Sequence, residues 1–222
     1  MKKLVLFDFD GTLADTAPDL AEAANKQRAR RGLPPLPYED LRPYASAGAR
    51  GLLKAGLGMS PEDDDYDACR RQFLEDYQSD MTRHTTLFPG IPELLATLRR
   101  HDYAWGIVTN KMEYLALPLV AHLGLADECA VTVGGDTTAH SKPHPAPLLH
   151  AAEKTGFSPQ HCIYIGDDHR DIIAGKAAGM GTVVAAYGYC GLDTALNGWE
   201  ADAIASTPQE LWPVIQEWAD QP

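Results

Sequence analysis

Short apolar runs that alternate with helical patterns constrain the fold of this chain most. The first run, Leu4-Val5-Leu6-Phe7, contains no polar residue. A short continuous apolar run is typical of a strand that is buried on both faces of a parallel sheet. Four later runs share this character and predict further strands at residues 105–108, 131–133, 162–165 and 182–185.

Helical patterns separate most of these strands. They predict helices at residues 93–100, 113–123, 146–154 and 171–178. Strands that alternate with helices of this length indicate βαβ units, and βαβ units place helices on both faces of a parallel sheet. We therefore predict an α/β fold with a Rossmann-like, doubly wound parallel sheet.

One stretch breaks the alternation because it contains helical patterns only. The predicted helices cover residues 17–31, 38–45, 49–57 and 61–83. In the last of them an apolar or aromatic residue recurs every three or four positions, which predicts one buried helix face. These positions are Tyr66, Cys69, Phe73, Tyr77 and Met81. We predict a catalytic core formed by residues 1–15 and 85–222, and a helical domain inserted at residues 16–84.

Charge and composition narrow the range of partners. The chain has 19 basic and 31 acidic residues, a net charge of −12. Such an excess disfavours a nucleic acid or an anionic membrane as partner because long-range repulsion opposes both. No apolar stretch approaches the ~18–20 residues of a membrane span, and Asp8 ends the first apolar run too early for a signal peptide. The four cysteines form no CxxC pair, which favours free thiols in a reducing cytoplasm.

Polar residues follow several predicted strands directly. The first strand leads into Asp8-Phe9-Asp10-Gly11-Thr12, and the second leads into Thr109-Asn110-Lys111. The strand at residues 162–165 leads into Gly166-Asp167-Asp168-His169-Arg170-Asp171, and Ser141-Lys142-Pro143 lies in a loop between a strand and a helix. Open α/β sheets bind ligands at the carboxyl ends of their strands. We therefore expect these segments to meet in one site.

The carboxylates in such a site would repel each other. Two like charges ~4 Å apart cost about 4 kcal/mol at an effective dielectric constant near 20. A hard cation removes that cost, and an oxygen-rich site with few protein ligands suits Mg²⁺, which keeps water molecules and shares phosphate oxygens with a substrate. The sequence therefore predicts a Mg²⁺ site.

The four motifs, in this order and spacing, resemble those of the haloacid dehalogenase superfamily, and the resemblance covers nearly the whole chain. The helical insert after the first motif resembles the C1 cap of that family. The resemblance implies phosphoryl transfer through an aspartyl-phosphate with Mg²⁺ as cofactor. Asp10, two residues after Asp8, is typical of the phosphatases and mutases of the family, since the dehalogenases have a non-acidic residue there.

The resemblance also implies roles for single residues. Asp8 would be the nucleophile. Asp10 would protonate the leaving alkoxide and later deprotonate the water that cleaves the intermediate. Thr109 and Asn110 would donate hydrogen bonds to the transferring phosphoryl group, and Lys142 would offset its growing charge.

The same resemblance assigns the metal ligands and their supports. Asp8, the backbone carbonyl of Asp10 and Asp167 would hold Mg²⁺. Asp168 and Asp171 would support these ligands, although either could reach the metal through water. For Asp171 a second interpretation stays open, in which it is an acidic residue in the first turn of a helix, favoured by the helix dipole.

Two basic residues each have two interpretations, as a substrate ligand or as a solvent-facing side chain. Arg50, at the start of a predicted cap helix, could bind a carboxylate or a second phosphate in a bidentate manner. The alternative is a solvent-facing arginine without a ligand. Lys111 is interpreted as a solvated residue rather than a phosphate ligand.

The overall pattern is similar to that of the phosphoglycolate phosphatases, and this resemblance implies that the substrate is a small phosphomonoester that carries a carboxylate. Ala47-Gly48-Ala49-Arg50 and the GDDxRDI pattern also resemble a sister group that acts on N-acetylmuramic acid 6-phosphate in cell-wall recycling. A β-phosphoglucomutase shares the cap and all four motifs and is a different class of enzyme. A non-catalytic binding protein is the third hypothesis, although it would not require this charged constellation.

Overall fold

The computed structural model describes residues 3–191 and 195–220. Three short segments of the predicted core lie outside the described part: residues 1–2, 192–194 and 221–222. Within that part the strands are β1 (Leu4–Phe7), β2 (Ala14–Asp15), β3 (Thr86–Leu87), β4 (Ala104–Val108), β5 (Thr132–Val133), β6 (Cys162–Gly166), β7 (Gly181–Ala185) and β8 (Ala203–Ala205). Six of them form a parallel sheet in the order β5-β4-β1-β6-β7-β8. The predicted α/β fold with a parallel sheet is confirmed.

The helices of the described residues fall into two groups. Those flanking the parallel sheet are α5 (Ile91–Arg100), α6 (Glu113–His122), α7 (Ala146–Thr155), α8 (His169–Ala177) and α9 (Leu211–Ala219). Those of the insert are α1 (Ala17–Ala29), α2 (Tyr38–Leu41), α3 (Gly48–Leu57) and α4 (Tyr66–Asp80), with a 3-10 helix at Arg42–Ala47 between α2 and α3. Among these described helices, none has both the length and the apolar character needed to cross a lipid bilayer.

Strand β1 lies at the centre of the sheet. All four of its residues are fully buried, as a strand covered on both faces requires. Its last residue, Phe7, pairs with Ile107 of β4 on one side and with Ile165 of β6 on the other. The chain therefore leaves β1, β4 and β6 at the same edge of the sheet.

The insert forms its own helical layer. Helix α1 packs against both α3 and α4, and the aromatic side chains of Phe73 and Tyr77 on α4 are fully buried. The predicted apolar face of this helix is therefore a core face. Two helix boundaries of the insert differ most from the prediction, each for a local reason.

Helix α4 begins at Tyr66 rather than at residue 61, because the side chain of Asp63 accepts the backbone N–H of Ser60 in a turn. The predicted helix at residues 38–45 ends as α2 at Leu41 and continues as a 3-10 helix. Pro43 has no N–H with which to extend an α-helical ladder.

An antiparallel pair of short strands joins the insert to the core. Strands β2 and β3 pair Ala14 with Leu87 and Asp15 with Thr86. The chain thus leaves the sheet and returns to it through neighbouring segments. This pair brings the start and the end of the insert close to the edge at which β1 ends.

Candidate active site

The predicted site residues come from three neighbouring strands and one loop. Asp8 follows β1, Thr109 follows β4, and Asp167 follows β6, while Lys142 lies in the loop between β5 and α7. Since these strands are parallel and adjacent, their carboxyl ends lie side by side. The structure brings Asp8, Thr109, Lys142 and Asp167 to this edge of the sheet.

Lys142 is the centre of a buried polar network. Its side chain is 2% exposed, and its Nζ lies 3.0 Å from Oδ1 of Asp8 and 2.7 Å from Oδ1 of Asp171. It also donates to the hydroxyl of Tyr164 at 2.7 Å and to the carbonyl of Val108 at 3.1 Å. Burial by itself would lower the pKa of Lys142, but the carboxylates of Asp171 and Asp8 outweigh it and raise the pKa above its usual value. The ammonium is therefore held charged against Asp8.

The backbone of Lys142 is held in place by Asn110. The side-chain oxygen of Asn110 accepts from the backbone N–H of Lys142 at 2.9 Å, and its amide nitrogen donates to the carbonyl of Lys142 at 2.9 Å. Beside it, the Thr109 hydroxyl oxygen accepts from the backbone N–H of Lys111 at 3.1 Å, which leaves its own O–H to donate elsewhere. The second amide N–H of Asn110 and the Thr109 hydroxyl are thus the side-chain donors left for a phosphoryl oxygen. Phosphate binding by both residues stays a prediction.

The Asp8 carboxylate is anchored through one oxygen. Its Oδ1 accepts from the backbone N–H of Phe9 at 2.7 Å and lies beside Lys142. Burial raises the pKa of Asp8 to about 7, Lys142 opposes this shift, and the charges of Asp171 and Asp10 add to it. The anchored oxygen fixes the orientation of the second one.

Three buried carboxylates of this edge could hold a metal ion. Asp8, Asp167 and Asp171 each offer one oxygen, and these atoms lie within 4.8 Å of one another. Asp167 is fully buried, and burial together with the charges of Asp8 and Asp171 raises its pKa well above the usual range. One ammonium does not balance three carboxylates, so the donor set fits a hard divalent cation.

Asp171 already accepts hydrogen bonds at both of its carboxylate oxygens. Its Oδ1 accepts from Lys142 and, at 3.2 Å, from Tyr164, while its Oδ2 accepts from the backbone N–H of Asp168 at 3.0 Å. Both interpretations of Asp171 therefore describe part of its position: it lies in the first turn of α8, and it is buried against Lys142. Its predicted supporting role stays a prediction.

Asp168 caps helix α8. Its side chain accepts from the backbone N–H of Arg170, and together with Asp171 it forms a capping box. The guanidinium of Arg170 also pairs with this carboxylate at 2.8 Å and donates to the carbonyl of Ser46 in the insert at 2.8 Å. Asp168 thus fixes the start of the helix on which Asp171 lies and helps to join the insert to the core.

A glycine makes room for Asp167. Gly11 has a φ of 79°, and a Cβ added to it would overlap the carboxylate of Asp167. A positive φ and this close approach both demand glycine. The glycine of the first motif is therefore needed for the carboxylates of the first and last motifs to come together.

Asp10 lies on the side of the site that faces the insert. Its Oδ1 accepts from the hydroxyl of Thr16 and lies 2.9 Å from Nζ of Lys111. Lys111 also donates to the hydroxyl of Tyr77 on α4 at 3.1 Å, and its side chain is only 7% exposed. The interpretation of Lys111 as a solvated residue is wrong, because Asp10 and Tyr77 enclose its ammonium group. Its place directly after Thr109-Asn110 at a strand end was the available signal.

A cavity of about 480 Å³ separates the insert from this edge of the sheet. Asp8, Asp10 and Lys142 line it from the core, and Arg50, Arg70 and Phe73 line it from the insert. Arg50 belongs to α3 and is exposed, and its predicted role stays a prediction. A larger depression of about 1020 Å³ near Tyr103 is lined by none of the predicted site residues.

This geometry is that of a hydrolase built on strand-end carboxylates. Residues 5–185 match the sequence profile of the haloacid dehalogenase-like hydrolases, and the chain belongs to this family. It is 43% identical to a phosphoglycolate phosphatase of Xanthomonas campestris over 216 residues, which cover 95% of both chains. It is 41% identical to an N-acetylmuramic acid 6-phosphate phosphatase of Pseudomonas putida over 213 residues, which cover 96% of both.

A solved structure supports the same fold. The crystal structure of a predicted phosphoglycolate phosphatase from Haemophilus somnus superimposes with a TM-score of 0.83. It is 27% identical to the chain and covers 96% of it, and 97% of that structure is matched. The similarity therefore includes the helical insert as well as the sheet.

Proposed function

We propose that the protein is a Mg²⁺-dependent phosphomonoester hydrolase that acts on a small carboxylate-bearing ester, as phosphoglycolate phosphatases do. The contact between Asp8 and buried Lys142, 3.0 Å apart at the carboxyl end of β1, is the observation that carries the proposal. It pairs a fixed carboxylate nucleophile with a cation that can stabilise phosphoryl charge. The relatives named as phosphatases at 41–43% identity support the same activity.

In the first step a carboxylate oxygen of Asp8 attacks phosphorus, and the bond between phosphorus and the ester oxygen breaks. Asp10 gives a proton to the leaving oxygen, so the alcohol departs neutral. In the second step Asp10 takes a proton from water, the water oxygen bonds to phosphorus, and the acyl-phosphate bond breaks. Inorganic phosphate leaves, and both carboxyl groups return to their starting states.

The other core residues bind and orient the phosphoryl group. Thr109 and Asn110 would donate hydrogen bonds to its oxygens, and Lys142 would offset their charge. Asp171 and Asp168 would hold Lys142 and the start of α8 in position.

Asp8, Asp167 and the backbone carbonyl of Asp10 would hold Mg²⁺. When bound, the ion offsets the negative charge that the carboxylates and the phosphoryl oxygens bring together. The buried, like-charged surroundings of Asp8 and Asp167 support this assignment.

The insert, residues 16–84, would be a cap that covers the site and excludes water. Arg50 would bind a carboxylate that lies several bonds from the phosphate, since its helix faces the sheet edge across the cavity. We also propose that the enzyme acts in the cytoplasm, on small molecules rather than on nucleic acids. Its four free thiols and its net charge of −12 support this.

N-acetylmuramic acid 6-phosphate is the second candidate substrate, favoured by the relative from Pseudomonas putida. Phosphate release with Mg²⁺ should be measured on 2-phosphoglycolate, N-acetylmuramic acid 6-phosphate, sugar phosphates and nucleoside monophosphates. We expect an acid-bearing ester to be preferred at least about tenfold, the size of one charge-assisted contact. Arg50→Ala should lower the preference for N-acetylmuramic acid 6-phosphate over N-acetylglucosamine 6-phosphate, which lacks the lactyl carboxylate.

Asp8→Asn is the matched control, and it should release no phosphate above background. Equal rates on acidic and neutral esters would contradict the proposed substrate class. Conversion of β-glucose 1-phosphate to the 6-phosphate, primed by the bisphosphate and without phosphate release, would favour a mutase instead.

A further inference from the structure

The site contains a second buried lysine for which the proposed reaction has no use. Lys111 lies on the core side of the cavity, with its side chain 7% exposed. Its ammonium group contacts Oδ1 of Asp10 at 2.9 Å and the hydroxyl of Tyr77 at 3.1 Å, and it lies 4.6 Å from the centre of the Tyr77 ring. A buried charge is costly, so a lysine here calls for a function beyond solubility.

Lys111 retains one donor for a ligand. An ammonium group has three N–H donors, and among the described residues its acceptors are Asp10 and Tyr77. Lys111 itself lines the same cavity as Asp10 and Tyr77, so a ligand bound in that cavity could accept the third N–H. The cavity-lining arginines of the insert differ from it, because Arg50 and Arg70 are exposed.

The position of Lys111 relative to the leaving group sets what it can bind. In the proposed reaction Asp10 must touch the ester oxygen to protonate it, at a hydrogen-bond distance of about 2.6–3.2 Å. Lys111 lies a further 2.9 Å from the same carboxylate. A substrate group two bonds from the ester oxygen therefore comes within its reach, whereas a group at the far side of a sugar ring does not.

We propose that Lys111 is a specificity-determining residue that binds a substrate carboxylate on the carbon next to the ester oxygen. This inference rests on the proposed function and narrows it to 2-phosphonooxy carboxylates, of which 2-phosphoglycolate is the smallest. Tyr77, on the insert, holds the lysine in position, so the recognition site includes both the core and the insert.

A role in positioning Asp10 alone makes a different prediction. If Lys111 only orients that carboxylate, its loss slows acidic and neutral esters by the same factor. If it binds the substrate carboxylate, its loss slows the acidic ester much more. The ratio of two kcat/KM values therefore separates the roles.

The test compares 2-phosphoglycolate with 2-hydroxyethyl phosphate, in which a hydroxymethyl group replaces the carboxylate. Wild-type enzyme with Mg²⁺ should prefer the acid at least about tenfold, and Lys111→Met should remove most of that preference. Lys111→Arg should keep part of it because the charge remains. Lys154→Met, which removes an exposed lysine of α7, should keep all of it.

A binding measurement keeps the test independent of turnover. Calorimetry on Asp8→Asn protein should give weaker binding of 2-phosphoglycolate when Lys111→Met is added, with unchanged binding of inorganic phosphate. Unchanged binding of both ligands would overturn the proposal. So would an equal loss of kcat/KM on 2-phosphoglycolate and 2-hydroxyethyl phosphate, or a preference for the acid that stays unaltered in both Lys111 variants. Absence of phosphate release from either ester by wild-type enzyme would instead refute the proposed function on which this inference rests.

Discussion

The two buried lysines of the site, Lys142 and Lys111, differ in which part of the molecule supplies the residues they contact. All four polar contacts of Lys142 are made with core residues: Asp8, Val108, Tyr164 and Asp171. Lys111 instead connects Asp10 of the core to Tyr77 of the insert. The core alone thus builds the group that would stabilise the phosphoryl charge, while the second cation depends on the insert. Under the proposed function, chemistry and selectivity would therefore depend on different contacts.

The largest difference between the two lysines should appear in Lys142→Met. Loss of a preorganised charge at the transferring group lowers kcat by about 10²–10³-fold. The variant also leaves buried carboxylates unpaired, which costs about 3–5 kcal/mol of unfolding free energy. Phosphate release and urea unfolding, both in Mg²⁺, measure the two effects.

Lys154→Met again controls for the loss of one positive charge. It should leave kcat unchanged and change the free energy of unfolding by no more than about 0.5 kcal/mol. A Lys142→Met enzyme with near-wild-type turnover would remove the distinction between the lysines.

The core cluster should also make stability depend on pH and metal. The pKa of Asp8 is raised from 3.8 to about 7 in the folded chain, and that of Asp167 is also raised well above its usual value. Folding therefore favours the protonated form of these carboxyls. For Asp8, the resulting gain in the free energy of unfolding is fully present below pH 3.8 and is lost as the pH rises through about 7. In EDTA, Tm should fall between pH 5 and pH 8.

Mg²⁺ should restore the lost stability, so the rise in Tm on its addition should be larger at pH 8 than at pH 5. Asp8→Asn removes one of the titrating groups and should flatten the pH dependence in EDTA. If the Tm of the wild-type protein and that of Asp8→Asn changed with pH by the same amount in EDTA, the raised pKa of Asp8 would be contradicted.

The smallest effect is expected for Tyr77→Phe. This variant removes the hydrogen bond that the Lys111 ammonium donates to the hydroxyl of Tyr77, while keeping the ring and the contact with Asp10. We expect kcat/KM on 2-phosphoglycolate to fall by only about two- to tenfold, because the ion pair with Asp10 still holds the lysine. Tyr114→Phe changes an exposed tyrosine of α6 and should have no effect. A loss as large as that of Lys142→Met would mean that the insert contributes to the chemistry itself.

The sequence predicted the elements whose burial leaves a pattern. Strand β1 was predicted with its observed bounds because burial on both faces requires four consecutive apolar residues. Strand β8 and the β2–β3 pair were missed, because their alanine, aspartate and threonine residues give no strong apolar run and the strands are defined by their pairing partners. Helix α9, beyond the last predicted strand, was missed as well.

The site residues divide in the same way. Asp8, Lys142 and Asp167 were predictable because each follows a strand or lies in a loop at one edge of a parallel sheet. The burial of Lys111 was not, because it depends on Tyr77, 34 residues away in a different layer. A lysine is usually exposed to solvent, so its residue type alone predicted an exposed side chain. The fold showed that Lys111 is buried.

The claim that Asp8 is the nucleophile is tested most directly by trapping the covalent intermediate. Wild-type enzyme should be mixed with 2-phosphoglycolate and Mg²⁺, quenched in acid within one turnover, digested and analysed by mass spectrometry. The account predicts that the peptide containing Asp8 gains one phosphoryl group at Asp8, and that Asp8→Asn protein gains none. Phosphate release by wild-type enzyme together with phosphorylation at a different residue would contradict it.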